Sequence, residues 1–346
     1  TYIAIQKIGV IPVSCLARFE RAELDHFSRL TEAVGWIGCA EWRKRNYSEM
    51  LAAMRSDNPG LKYCIFSGGS VPKWGYSLEE LIESVNLKDH SEDYLLEFKP
   101  DADDVTHFMP TGGTTGLPKL VPRTHNSYIW NVWSTKKPGM PIGGDVLIVL
   151  PIGHNAPLMS IIGNFLFGGK LVLSPSVRTA DIARWIEQEK VNFVMVVPAL
   201  MVDFLNDPDL DNYNLSSLIS LGAGGQRVPP ELIRKLCDRK GLKFNNLYGM
   251  AEGPVATTSL NDPEWAVLNT VGRPNSPFEE YRILDNEGHV LPPGQEGELT
   301  ARGPGIFTGY YKAEESNKKC FSPDGFFRTG DLAKYVEDGY LVITGR

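Results

Sequence analysis

Cysteine is scarce: five residues, at positions 15, 39, 64, 237 and 320, with long gaps and no C-x-x-C pair. An odd, scattered set excludes a disulfide framework and offers no zinc spacing, so free buried thiols in a reducing cytoplasm are expected. Long apolar runs are lacking too. The longest, Phe193 to Val202, is interrupted by Pro198 and falls short of the roughly 18 residues a membrane span needs. Positive charge is in the minority: 35 Lys and Arg against 42 Asp and Glu leave a net charge of −7. That balance argues against a general binder of nucleic acid or anionic membrane, since both partners are negative. Neither a signal nor a transit peptide is recognisable in Thr1-Tyr2-Ile3-Ala4-Ile5-Gln6-Lys7. The chain lacks an initiator Met and begins in mid-pattern, so a piece of a longer protein is expected. No long-period internal repeat is present.

What is there reads as a soluble globular protein: 346 residues, 42% hydrophobic and 22% charged. At roughly 150 residues per domain the length suggests two or three structural units. Residues 1–104 alternate short apolar runs with helical spacing. Ile8–Val13 reads as a strand edge, Ala22–Val34 as a helix and Leu61–Phe66 as a strand, and the acidic stretch Glu92–Asp104 reads as a linker or loop. Residues 105–265 repeat a strand-then-helix rhythm. Strands are expected at Val146–Leu150, Lys170–Leu173, Asn192–Val197 and Leu218–Leu221, with helices at Thr179–Glu189 and from Pro229 to about Arg239. Continuous apolar strands alternating with helices predict an α/β fold with mostly parallel sheets flanked by helices. Over residues 266–346 turn signals crowd together, as at Asp285-Asn286-Glu287-Gly288 and Pro292-Pro293-Gly294, between short strands such as Tyr281–Leu284 and Tyr340–Ile343. That texture predicts a small antiparallel β-barrel-like subdomain.

The strongest chemical signal is Thr111-Gly112-Gly113-Thr114-Thr115-Gly116-Leu117-Pro118-Lys119. Three glycines let backbone N–H groups approach a ligand, three threonine hydroxyls can donate to phosphate oxygens, and Lys119 adds a mobile positive charge. The combination suits a polyphosphate. It is not a Walker A loop, because Pro118 precedes the lysine and Leu120 follows it.

This string resembles the phosphate-loop signature of the adenylate-forming superfamily, which includes acyl-CoA synthetases, peptide-synthetase adenylation domains and luciferases. Four further strings match in order: Gly222-Ala223-Gly224-Gly225-Gln226, Tyr248-Gly249-Met250-Ala251-Glu252, Phe327-Arg328-Thr329-Gly330-Asp331 and Gly345-Arg346. Within the superfamily the chain looks most like aryl-acid AMP ligases of the 2,3-dihydroxybenzoate or salicylate type. That likeness is carried by Pro122-Arg123-Thr124-His125-Asn126, His154-Asn155, Met250-Ala251-Glu252-Gly253 and Gly309–Glu314. The resemblance spans at least residues 105 to 346. It implies that about a hundred N-terminal residues and a mobile C-terminal domain, with its adenylation lysine, lie outside this chain.

The resemblance implies ATP and Mg²⁺ as cofactors, a small carboxylic acid as substrate, and a thiol of CoA or of a carrier protein as acceptor. Two anions meet in such a reaction, so positioning and cations around the phosphates lower the barrier. Lys119 is one cation. Glu252 would hold the metal, a hard ion that prefers oxygen, with Thr115 adding a hydroxyl. Thr111, Gly112, Gly113, Thr114, Thr115 and Gly116 would cradle phosphates. Gly224, Gly225, Gln226, Asn246, Gly249 and Met250 would border the adenine, with Tyr248 offering a flat face. Asp331, in a turn after Thr329-Gly330, would accept from both ribose hydroxyls, and Arg346 opens the hinge. His154 would lie near the carboxylate and phosphate. Asn155 would bond an ortho substituent of an aryl ring, with Ala156, Ser160, Gly225 and Val255 lining the acid pocket. His125 reads as structural.

A departure at the pocket leaves the acid open. Ala156 stands where the dihydroxybenzoate enzymes tend to carry an aromatic, and Pro157–Gly163 is shorter than theirs. The expected function is ATP-dependent activation of an aryl acid to an acyl-adenylate, then transfer to a thiol. The alternatives are a synthetase for a non-aryl acid and a nucleotide-binding module without turnover. A phosphotransferase would need a different phosphate loop and a base beside a substrate hydroxyl.

Overall fold

The computed structural model describes residues 1–89, 91–112, 117–136 and 143–346. The chain divides into two compact units. One comprises Thr1–Pro122 with Tyr310–Lys312, the other Arg123–Gly309 with Ala313–Arg346.

In the first unit, helices α1 (Arg21–Leu30) and α2 (Tyr47–Asp57) accompany a parallel three-stranded sheet. Its order is β1 (Gly35–Gly38), β2 (Tyr63–Phe66), β3 (Tyr76–Ser77). The core draws Leu24 and Phe27 from α1, Leu51 and Met54 from α2, and Cys64 and Phe66 from β2. Alternation along β2 puts Cys64 and Phe66 on the same side, the buried one. A two-stranded sheet, β4 (Val105–Pro110) with β5 (Leu120–Thr124), brackets the Gly/Thr-rich string. The strand expected over Ile8–Val13 does not form. Only Val13 bridges, to Phe108, while Ile8, Val10 and Ile11 are exposed. With its apolar side chains in water, that run gains too little burial to hold a ladder. Within the acidic stretch after residue 91, Glu92–Phe98 winds into a 3₁₀ helix.

The second unit is built on a seven-stranded sheet. From one edge to the other its strands are β12 (Arg273–Pro274), β11 (Val255–Thr257), β10 (Lys243–Gly249), β9 (Ser220–Gly224), β8 (Phe193–Val196), β6 (Val146–Ile148) and β7 (Leu171–Leu173). The five from β7 to β10 are parallel; β11 and β12 are antiparallel additions. Both faces are covered, which is why the strands read as unbroken apolar runs. Leu147, Val194, Val196, Leu221 and Phe244 enter one core with α5 (Thr179–Glu189), α6 (Pro198–Asn206) and α7 (Pro230–Lys240). Their neighbours Val146, Ile148 and Phe193 face the other way, toward Ile161 of α4 (Asn155–Phe167).

The local chemistry of α5 shows why it forms where it does. Ile182, Ala183 and Ile186 recur at helical spacing and are buried. Asp181, in the first turn, accepts from Ser176 and Arg178 and pairs with Arg184, a favourable sign at the positive end of the helix dipole. Lys190 ends the helix in a left-handed conformation, φ 52° and ψ 41°.

Beyond the large sheet, β13 (Glu280–Leu284), β14 (Gly297–Arg302), β15 (Phe327–Tyr335) and β16 (Leu341–Gly345) pair antiparallel in chain order. Strands β13 and β16 are left at the two edges, so this is an open meander rather than the barrel-like closure expected.

Ile186 is fully buried between α5 and the sheet, whereas Gln188 on the same helix is exposed. Ile186→Ala is expected to cost about 2–5 kcal/mol by opening a cavity. Gln188→Ala should stay within about 0.5 kcal/mol. Urea midpoints of the two variants check the side of α5 that carries the core.

Candidate functional site

Three of the motifs, at 154–155, 222–226 and 248–252, lie at the carboxyl edge of the parallel sheet, where the crevices of open α/β sheets lie. Gly224 closes β9 and Gly249 closes β10. The segment after β6 leads through Pro151 into α4, with His154 at its N-cap and Asn155 as its first residue. Gly224 backs directly onto β10: a Cβ there would lie 2.2 Å from the Leu247 carbonyl oxygen. Gly225 and Gln226 follow it, exposed.

Glu252 lies just past β10 and is buried, with 6% exposure. Its backbone carbonyl accepts from the Phe307 amide at 2.8 Å. Asn155 reaches the same segment. Its Nδ2 donates to the Met250 carbonyl at 3.1 Å, while its Oδ1 is buried with no hydrogen-bond partner among the described residues. His154 and Ala156 are exposed and Ser160 half-buried, its hydroxyl donating to the Ala156 carbonyl at 3.2 Å. Val255 is buried at the start of β11, its amide donating to the Tyr281 hydroxyl at 2.6 Å.

Tyr248, Asp331 and Arg346 come together from β10, β15 and the last residue. The Tyr248 hydroxyl donates to Asp331 Oδ2 at 2.8 Å. Arg346 Nε stands 3.6 Å from Asp331 Oδ1. Burial, and the negative Asp331 beside it, push the Tyr248 phenol well above its ordinary range. Asp331 does not sit in a turn. It lies inside β15, where Glu298 faces Leu332 and Thr300 faces Arg328, so three residues, 329–331, oppose the single Leu299. Gly330 adopts φ +73° at this bulge, a conformation that favours glycine. The bulge turns the carboxylate toward Tyr248.

Some expected residues are engaged elsewhere. Asn246 is a buried strand residue whose Nδ2 donates to the Val267 carbonyl at 2.6 Å, so its donor serves the fold. Lys119 belongs to the first unit, exposed, with its ammonium 4.8 Å from the Tyr310 ring centroid. The ends of its loop are tied together: the Thr111 amide donates to the Lys119 carbonyl at 2.9 Å, and the Lys119 amide to Thr111 Oγ1 at 3.0 Å. Gly112 is exposed beside them. Gly113, Thr114, Thr115 and Gly116 lie outside the described residues.

Two residues around Glu252 had no assigned role in the sequence reading. Arg123 is fully buried and donates to the Ala251 carbonyl; Asn131, also fully buried, donates to the Gly253 carbonyl. Their signal was a polar four-residue spacing, with Arg123 in the strand before the helix and Ser127 and Asn131 within the helix. Among the described residues, no helix is long and apolar enough to cross a membrane.

The Tyr248 proton makes a testable link to stability. A phenol with a raised folded pKa keeps its proton where the unfolded phenol would lose it, so its contribution is full below the unfolded value and is lost as pH rises above it. The urea midpoint of the wild type relative to Tyr248→Phe is therefore expected to fall between about pH 9 and about pH 11, around the ordinary phenol value. A constant difference across that range would show that folding does not hold this proton.

The model of the AMP-binding enzyme family matches residues 1–311. A 2,3-dihydroxybenzoate-AMP ligase of Bacillus subtilis (strain 168) is 36% identical over 346 residues, covering 99% of this chain and 62% of the relative. A salicyl-AMP ligase / salicyl-S-ArCP synthetase of Mycobacterium tuberculosis is 34% identical over 348 residues, covering 99% and 60%. The apo structure of Mycobacterium smegmatis MbtA superposes with a TM-score of 0.89 at 30% identity, covering all of this chain and 63% of that one. The chain thus spans somewhat over half the length of these relatives. It belongs to the AMP-binding enzyme family.

Proposed function

We propose that the protein of which this chain is part activates an aryl carboxylic acid with ATP and passes the acyl group to a thiol of CoA or of a carrier-protein arm. The observation that carries this reading is the hydrogen bond from Asn155 Nδ2 to the Met250 carbonyl. It joins the residue assigned to the acid to the segment assigned to nucleotide and metal. With Nδ2 engaged, Asn155 presents an acceptor, and a buried unpaired acceptor costs about 1–3 kcal/mol. A hydroxyl ortho to the acid's carboxyl group would satisfy it. The named activities of the Bacillus subtilis and Mycobacterium tuberculosis relatives, on 2,3-dihydroxybenzoate and salicylate, agree with such an acid.

In this reading a carboxylate oxygen of the acid attacks the α-phosphorus of ATP. The acyl–oxygen–phosphorus bond forms as the bond to pyrophosphate breaks. A thiol then attacks the acyl carbon, AMP leaves, and the thiol proton is released. Lys119, with the hydroxyls of Thr111, Thr114 and Thr115, takes phosphate oxygens. Asp331 accepts from the ribose hydroxyls, and the Tyr248 ring borders the adenine. His154, at the N-cap of α4, meets the reacting carboxylate and phosphate. The donor set fits Mg²⁺, because Glu252 offers a carboxylate oxygen at the carboxyl edge of the sheet and hard cations take such ligands together with substrate phosphates. When bound, the ion neutralises phosphate charge; Glu252 is the residue that would hold it, with Thr115.

The test is ATP–pyrophosphate exchange over a panel of benzoate, salicylate, 2,3-dihydroxybenzoate, anthranilate and aliphatic acids, run with the full-length protein. Ortho-hydroxylated aryl acids are expected to support exchange best. Lys119→Ala and Glu252→Gln are each expected to lower the exchange rate on the order of 10²–10³-fold, the scale for losing one preorganised charge partner. If no carboxylic acid supports exchange, the proposed activity is wrong.

A further inference from the structure

Four consecutive carbonyls, of residues 250 to 253, each accept a hydrogen bond from a donor remote in sequence. Asn155 Nδ2 bonds Met250 at 3.1 Å, Arg123 Nη1 bonds Ala251 at 2.8 Å, the Phe307 amide bonds Glu252 at 2.8 Å, and Asn131 Nδ2 bonds Gly253 at 3.1 Å. All four donors belong to the second unit. A strand-to-strand connection ordinarily leaves carbonyls to water; this one is held at every step around Glu252.

Arg123 is the centre of the arrangement. It is the penultimate residue of β5, and α3 (His125–Ser134) brings Ser127 and Asn131 onto its side at four-residue spacing. Its Nη2 donates to the Gly305 carbonyl at 2.9 Å, to the Ser127 carbonyl at 3.1 Å and to Asn131 Oδ1. One planar guanidinium therefore grips residues 251 and 305 together. Burial lowers its pKa to about 10, partly offset by Tyr128, Glu279 and Glu252, and it remains the charged form at neutral pH. The two gripped segments touch closely. Gly253 has φ +125°, and a Cβ there would lie 2.1 Å from the Gly305 carbonyl oxygen; a Cβ on Gly305 would lie 2.3 Å from both Asn131 Nδ2 and Glu279 Oε1.

Stability alone is a weak reason for burying such a group, since well-packed apolar residues of similar volume often serve as well or better. What the fork adds is fixed geometry. We propose that Arg123 and Asn131 are positioning residues for Glu252, locking the backbone of residues 251–253 so that the carboxylate is already ordered when nucleotide arrives. This rests on the reading of Glu252 as the metal-holding carboxylate given above. Holding the group in place beforehand removes an ordering cost from the reactive complex.

The experiment compares full-length wild type, Asn131→Ser, Arg123→Lys, Glu252→Gln and the Asn131→Ser/Glu252→Gln double variant. Amide hydrogen exchange without ligand is the first readout, followed by mass spectrometry of peptides covering residues 250–255. Urea midpoints and acid-dependent pyrophosphate exchange are measured on the same preparations. Asn131→Ser is expected to speed amide exchange in 250–255 by about tenfold or more while peptides from α5 exchange as in wild type. Its kcat is expected to fall on the order of 10- to 100-fold with KM for the acid little changed. Added to Glu252→Gln it is expected to cost nothing further, because the group it positions is gone. Arg123→Lys keeps the charge but loses the fork, and the same pattern is expected where it folds. Unchanged exchange in 250–255, or a loss of kcat that multiplies with that of Glu252→Gln, would overturn the proposal. If wild type supports no acid-dependent exchange, the proposed activity fails, and hydrogen exchange alone still decides whether Asn131 and Arg123 hold the segment.

Discussion

Burying a carboxylate costs several kcal/mol unless its surroundings answer the charge, and Glu252 is 6% exposed where a parallel strand stops. Much of the second unit follows from that constraint. The sheet brings β10 to its end at Gly249, and β11 turns back beside it, pairing Gly249 with Val255. Of the intervening residues Met250 and Ala251 are half-buried and Glu252, Gly253 and Pro254 are buried. Their carbonyls have no ladder to join, so donors come from Arg123 of β5, from α3 and α4, and from the 303–307 segment instead. A buried guanidinium is an economical answer: it supplies several N–H groups from one side chain and an opposing charge to Glu252. The tight contact of Gly253 with Gly305 is the steric consequence, since both backbones close on the same cation.

Asp331 obeys a different rule. It is held through its side chain, by the Tyr248 hydroxyl on one oxygen and Arg346 near the other. A regular strand would send residue 331 along the alternation of β15. The bulge at 329–331, with Gly330 in the left-handed region, breaks that alternation and re-aims the carboxylate. Three residues far apart in sequence then converge on one group. Thr329, buried, donates its hydroxyl to the Leu299 carbonyl at 2.8 Å and accepts from the Asp331 amide at 3.1 Å, which holds the bulge in shape.

How much of this could be read beforehand depended on the range of the forces involved. The parallel strands and the α5 and α7 helices were legible because burial on both faces leaves unbroken apolar runs, and one buried face leaves helical spacing; α5 begins and ends as its spacing and charges dictate. Ile8–Val13 misled because it is apolar without being covered, and apolarity reports a strand only when something packs on it. The open meander was mistaken for a barrel because turn signals count strands without saying whether the first pairs with the last. At the site, the expectations for Glu252, Tyr248 and Asp331 came from the resemblance of the strings that contain them, not from charge or glycine alone. Arg123 and Asn131 were legible only as a four-residue polar spacing running from a strand into a helix, since what they do lies more than a hundred residues away in the chain. Asn246 was expected to border the adenine; it is a buried strand residue whose Nδ2 donates to the Val267 carbonyl.

The two carboxylates therefore represent two kinds of order. Around Glu252 it is the backbone that is held, by donors that a ligand cannot easily replace because they are buried. Around Asp331 the partners are the very groups a polyol would displace or join: a phenol hydroxyl and an exposed guanidinium that is 71% accessible and 3.6 Å away. An acceptor already hydrogen-bonded at full strength gains little from a new donor. An acceptor whose partner is a loosely held surface arginine can exchange it at small cost. On that reasoning Oδ1 of Asp331, the oxygen beside Arg346, is the more readily exchanged one, and Oδ2, bonded to Tyr248, is the oxygen that keeps the carboxylate aimed while exchange takes place.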